Sequence, residues 1–173
     1  MWPLPNVSIG DCMILGSGFR VAIRRWCGSA VGETMASVQR PRMRISGPTF
    51  DSADPIALAE FYERLLGWPI VRREDPQPGN PSTGGWAMLR SPAGDQKIEV
   101  QWEPHHRAPT WPGSAGEPTM MLHLDIGVLD LSHGVEWALE QGARLADHQP
   151  QEDVRVMIDP DGHPFCLFPD QTV

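Results

Sequence analysis

The feature that most limits what this chain can fold into is a pattern that occurs twice. In "ADPIALAEFYERLLGW", Asp54 is a natural helix N-cap and Pro55 suits the first helical position. Leu58, Phe61, Tyr62, Leu65 and Leu66 then recur at helical spacing, and Gly67 stops the run. In the second half, Asp130 caps "LSHGVEWALEQ" and Gly142 ends it. Strand candidates flank both helices. "RISGPTF" precedes the first, and "WAMLRS" and "QKIEVQW" follow it. "TMMLHLDIGV" precedes the second, and "ARLADHQ", "VRVMID" and "PFCLFP" follow it. The turn-and-strand "SPAGDQKIEV" answers "DPDGHPFCLF", allowing one inserted residue.

Each unit therefore reads as strand, helix and three strands. At roughly 55 to 60 residues it is too small to bury a good core alone. Two units side by side solve the problem. The expectation is an α+β fold: two tandem βαβββ modules forming one compact domain, with helices over one face of curved mixed and antiparallel sheets. The opposite faces then line a cleft. The expected domain is 43–170, with module one at 43–103, a proline- and glycine-rich linker at 104–118, and module two at 119–170.

The leader, 1–42, is unlike the rest. Its first 34 residues show neither helical nor strand periodicity and carry Cys12 and Cys27. Arginines follow its apolar part, the reverse of a secretory signal. It is expected to be a disordered tail or a start-site artefact, with translation beginning at Met35 or Met43 instead of Met1.

A net charge of −8 argues against nucleic acid or an anionic membrane as partner, since both need a basic face. No apolar run reaches the roughly 18 to 20 residues of a membrane span. Three widely spaced cysteines, Cys12, Cys27 and Cys166, form no paired motif and fit a reducing, cytoplasmic setting. Thirteen arginines stand against one lysine, Lys97, a bias read as genomic. The chain lacks a nucleophile elbow, a P-loop and a dinucleotide fingerprint.

The words "ADPIALAEFYERLLGW", "WAMLRSPAGDQKIEVQWEP", "APTWP", "LHLDI" and "VRVMIDPDGHPFCLFP" span about residues 44–169. In this order they resemble the vicinal oxygen chelate superfamily, and within it the glyoxalase-like branch. The resemblance implies a small-molecule ligand in the inter-module cleft and allows a homodimer. It does not select a reaction, because the superfamily holds lyases, isomerases, dioxygenases and resistance proteins that only sequester a drug or metabolite.

Metal-using members of that superfamily hold a divalent ion with two side chains per module, one on each first and each last strand. Carried over, those positions are His123 and Cys166 in module two, with Cys166 standing where a glutamate is usual. In module one they are Glu99 and a first-strand position at or near Pro48. One donor is missing and one substituted, so no metal or other cofactor is expected. The alternative is a zinc, iron or manganese ion on Glu99, His123 and Cys166, zinc being the ion a thiolate favours. The expected ligand-binding residues are Glu99, Gln101, His123, Asp125 and Cys166. His123 is the acid/base candidate because imidazole changes charge near neutral pH; its other reading is a structural histidine. Trp111 is expected to staple the linker down, and His105 and His106 to be solvated.

Overall fold

Both helices form where the capping chemistry places them. Helix α1 spans Pro55–Leu66, and the Asp54 carboxylate accepts from the Ala57 N–H at 3.1 Å. Gly67 turns left-handed at φ 66°, a conformation open to glycine without a Cβ clash. Helix α2 spans Leu131–Gln141, opened by Asp130 accepting from His133 N–H at 2.8 Å and closed by Gly142. This computed structural model describes residues 40–76, 78, 79 and 84–173. The expectation for the leader therefore lies outside the described residues, except for its last three.

Within the unit Met43–Val173 the two modules repeat one topology. Module one orders β1 (Thr49–Ser52), β4 (Lys97–Trp102), β3 (Trp86–Arg90) and β2 (Ile70–Glu74) across its sheet. Module two orders β5 (Asp125–Val128), β8 (Pro164–Pro169), β7 (Arg155–Ile158) and β6 (Arg144–Leu145) in the same way. In each, the first strand runs parallel to the last and the other pairs are antiparallel. The fold is the expected α+β duplication.

One core serves both modules. Phe50, Leu58, Phe61, Tyr62, Ile98 and Val100 from the first join Ala138, Met157, Phe165 and Leu167 from the second. Phe61 and Phe165 face each other with ring centroids 6.4 Å apart. The helices also touch: Trp137 Nε1 donates to the Leu65 carbonyl at 3.0 Å. The alternation of β8 is as read, with Phe165 and Leu167 buried and Cys166 and Phe168 half-buried on the other face.

The strands differ from the reading at two places. The run "TMMLHLDIGV" forms a strand only from Asp125, and Leu122, within the run, is 69% exposed. The partner strand explains this. Cys166 N–H donates to Leu124 O at 2.8 Å, and the next bond of that parallel ladder would need an N–H from residue 164, a proline. Strand β2 was not located from sequence, because Val71, Arg72, Arg73 and Glu74 are all exposed and leave no apolar alternation to see. It is an edge strand held by β3 alone.

Candidate functional site

On module two, the face opposite the core brings His123, Asp125 and Cys166 together. One donor atom from each lies within 4.8 Å of the others. His123 Nε2 stands 3.2 Å from Asp125 Oδ1, and Asp125 is its one polar partner among the described residues. Asp125 sits directly beside Cys166 in the parallel ladder. Burial raises the Cys166 thiol pKa, and the charge and hydrogen bond of Asp125 add to that. The thiol is thus kept protonated and poorly nucleophilic at neutral pH.

Module one carries Glu99 and Gln101 on the matching face, outside that cluster. Glu99 is already engaged: Lys97 Nζ lies 2.8 Å from Oε1, and Thr49 Oγ1 donates to Oε2 at 3.5 Å. Gln101 Nε2 donates to Asp51 Oδ1 at 2.8 Å. A hollow of about 600 Å³ over this sheet is lined by Arg72, Trp86, Glu99, Gln101 and Trp102. Arg72 lies over the Trp86 ring, 5.8 Å from its centroid. A second hollow, of about 810 Å³, is lined by Trp68, Lys97, Leu124, Asp125 and Phe168. The Lys97–Glu99 pair thus spans the two hollows.

The ladders fix which positions correspond. Cys166 N–H donates to Leu124 O, and Glu99 N–H donates to Pro48 O. His123, one residue before Leu124, therefore answers to Gly47, one residue earlier than the sequence placed it. Gly47 has no side chain to offer, and no room for one. A Cβ there would lie 2.4 Å from the Lys97 carbonyl oxygen and 2.8 Å from Lys97 Cγ. The four positions of an ion cage are thus glycine, an ion-paired glutamate, a histidine and a cysteine. These residues do not fit a divalent ion held by two donors from each module.

A third polar group escaped the sequence reading. Asp159, fully buried, accepts from the N–H groups of Asp161 at 3.0 Å and His163 at 2.8 Å, and from Tyr62 OH at 3.0 Å. His163 Nδ1 lies 2.9 Å from its Oδ2. Ser52 Oγ donates to Asp161, and His106 Nε2 meets the Asp161 carbonyl at 3.1 Å. His106 is therefore no solvated linker residue. Burial depresses the His163 pKa, but the bond to and charge of Asp159 outweigh it and the net shift is upward. Burial, then Asp159, push the Tyr62 pKa well above its ordinary value. The group ties the β7–β8 turn to β1 and α1 across the modules. The "DPDGH" wording carried its local half, but Ser52, Tyr62 and His106 come from elements far away in the chain.

Trp111 staples the linker, as expected. Its ring packs on Ala146, Val156 and Ile158, and Nε1 donates to His148 O at 3.0 Å.

Residues 48–168 match the model of the glyoxalase-like domain. The chain belongs to the glyoxalase-like family. With it comes membership of the vicinal oxygen chelate superfamily, whose fold the solved structures share. A glyoxalase family protein from Enterococcus faecalis is 22% identical, with a TM-score of 0.53 over 72% of this chain and 96% of that one. The trypanothione-dependent glyoxalase I of Leishmania major is 18% identical, with a TM-score of 0.54 over 76% and 89%. A fosfomycin resistance protein, FosX, from Listeria monocytogenes, complexed with Mn(II) and dihydroxypropylphosphonic acid, is 11% identical with a TM-score of 0.56 over 76% and 95%. At these identities the likeness is one of fold. No curated protein matches this glyoxalase-like chain. None of its helices, among the described residues, is long and apolar enough to cross a membrane.

Proposed function

We propose that this glyoxalase-like protein binds a small organic molecule between its modules and acts on it without a divalent ion, with His123 as the acid/base group. The observation that carries the proposal is the contrast between the two half-sites. Module one offers a side-chain-free Gly47 and a Glu99 held by Lys97, whereas module two keeps an oriented imidazole, His123 Nε2 at 3.2 Å from Asp125. A carboxylate on one ring nitrogen fixes the imidazole and leaves the other nitrogen to give or take a ligand proton. The adjacent hollow sets the apolar side chains of Trp68, Leu124 and Phe168 beside the charged groups of Lys97 and Asp125, a mixture that can hold and orient a small molecule. Cys166 contributes shape and a weak donor, not a nucleophile.

Native mass spectrometry of freshly purified full-length protein is expected to show a bound organic molecule. His123→Ala should then retain that molecule while losing its conversion. A protein that only sequesters its ligand would show no conversion to lose. A second reading has its own observation: His123, Asp125 and Cys166 converge closely enough to hold zinc within module two alone. Elemental analysis of untagged protein decides between them, and near-stoichiometric zinc, iron or manganese overturns the metal-independent proposal.

A further inference from the structure

A chain that uses arginine thirteen times and lysine once has placed that lysine in the cleft. Lys97 is the side chain pressed against Gly47, and its stem fills the room a first-strand donor would take. Its ammonium is 2.8 Å from Glu99, and the side chain is 11% exposed. Glu99 is its one partner among the described residues, so two of its three N–H donors are uncommitted. It also lines the larger hollow together with Trp68, Leu124, Asp125 and Phe168. Asp95, Asp125 and Asp170 also line this hollow; Asp95 accepts from Ser91, Asp170 from Thr172, and Asp125 faces His123.

We infer that Lys97 is a built-in cation in the place a metal would occupy, and that it binds the anionic oxygen of a carboxylate-bearing ligand whose apolar body lies against Trp68 and Phe168. Glu99 holds the ammonium in place, as a carboxylate would orient a metal ligand. The stem's packing on Gly47 and the Glu99 bond make the site preorganised, so a ligand has no long side chain to order on binding.

This rests on the proposed small-molecule site but can fail separately from it. With a single lysine, protein labelled with 13Cε-lysine gives one lysine resonance, which reads Lys97 directly. Phenylpyruvate, a carboxylate with an apolar body, is expected to move that resonance saturably. Phenylacetone, which lacks the carboxylate, should bind about tenfold more weakly or worse, since a charge-assisted bond is lost. Because Lys97→Met alone leaves Glu99 unpaired, the companion variant is Lys97→Met/Glu99→Gln, checked for an unchanged melting transition. In it, calorimetry should show the acid falling to the ketone's affinity. The inference is overturned if the acid leaves the Lys97 signal unmoved, if acid and ketone bind equally, or if the double variant keeps the preference. In any of those cases a co-purified ligand and the His123→Ala result would still stand on their own.

Discussion

The two sheets of this protein are built alike and used differently. On module two, the β7 stretch of the face away from the core is covered: Val156 and Ile158 are each 2% exposed beneath Trp111 and the 146–149 loop. On module one, the same face is open and charged, with Arg72, Glu99 and Gln101 around a hollow of about 600 Å³. The helix-facing sides hardly differ, because both feed one core and must alternate in step. The free faces answer only to the loops and ligands that meet them, so duplication leaves them at liberty to diverge. In module one that divergence put a lysine beside a glutamate; in module two it kept a histidine–aspartate pair beside a thiol.

The comparison predicts that the modules differ in surface but share their stability. Phe61→Ala should remove about 3–5 kcal/mol in urea unfolding, through the cavity it leaves. It should lower a single transition, since its ring meets Phe165 of the other module. Two resolved transitions would mean that each module has a core of its own. Asp159→Ala should cost about 3 kcal/mol, because His163 and Tyr62 both lose their buried partner; a loss below about 1 kcal/mol would mark the inter-module group as superficial. Trp111→Ala should cost about 2 kcal/mol by exposing Val156 and Ile158. Peptide mass spectrometry should then find Cys166 alkylated faster than in the parent protein, where burial holds the thiol protonated.

The smallest effect concerns pH. His163 Nδ1 lies 2.9 Å from the Asp159 carboxylate, whose charge favours the imidazolium over the neutral ring. Its folded pKa is raised above the unfolded value. The stability it contributes is therefore fully present below the ordinary histidine range and fades as pH rises through the raised value. The groups facing it are Asp159 and Asp161 of its own turn, Tyr62 of α1, Phe50, Asp51 and Ser52 of β1, and His106 of the linker. The gap in urea midpoint between the parent and His163→Gln should narrow between about pH 6 and about pH 9, the window around an imidazole's ordinary and raised values. A constant gap would mean that the ring contributes by packing alone.

Much of the fold was legible because its signals are local. Asp54, Pro55 and Gly67 mark α1, and Asp130 and Gly142 mark α2, through bonds no more than a few residues away. Alternation placed Ile98 and Val100, and Phe165 and Leu167, on the buried faces. Strand β2 was not legible because its side chains are exposed and only the β3 edge makes it a strand. The early start of β5 was misread because the missing donor, at Pro164, lies 42 residues from Leu122 (164 − 122) and belongs to another strand.

The site divides along the same line. The sequence by itself determined that two like modules must share a core and that module one lacks a first-strand donor. Tertiary structure alone decided that Lys97 fills Gly47's room, that Glu99 pairs with it instead of joining His123 and Cys166, and that the Asp159–His163 pair clamps the modules together. Periodicity reports which way a side chain points, a property of its own backbone. What it meets there depends on strands brought alongside by folding, over separations that no local pattern encodes.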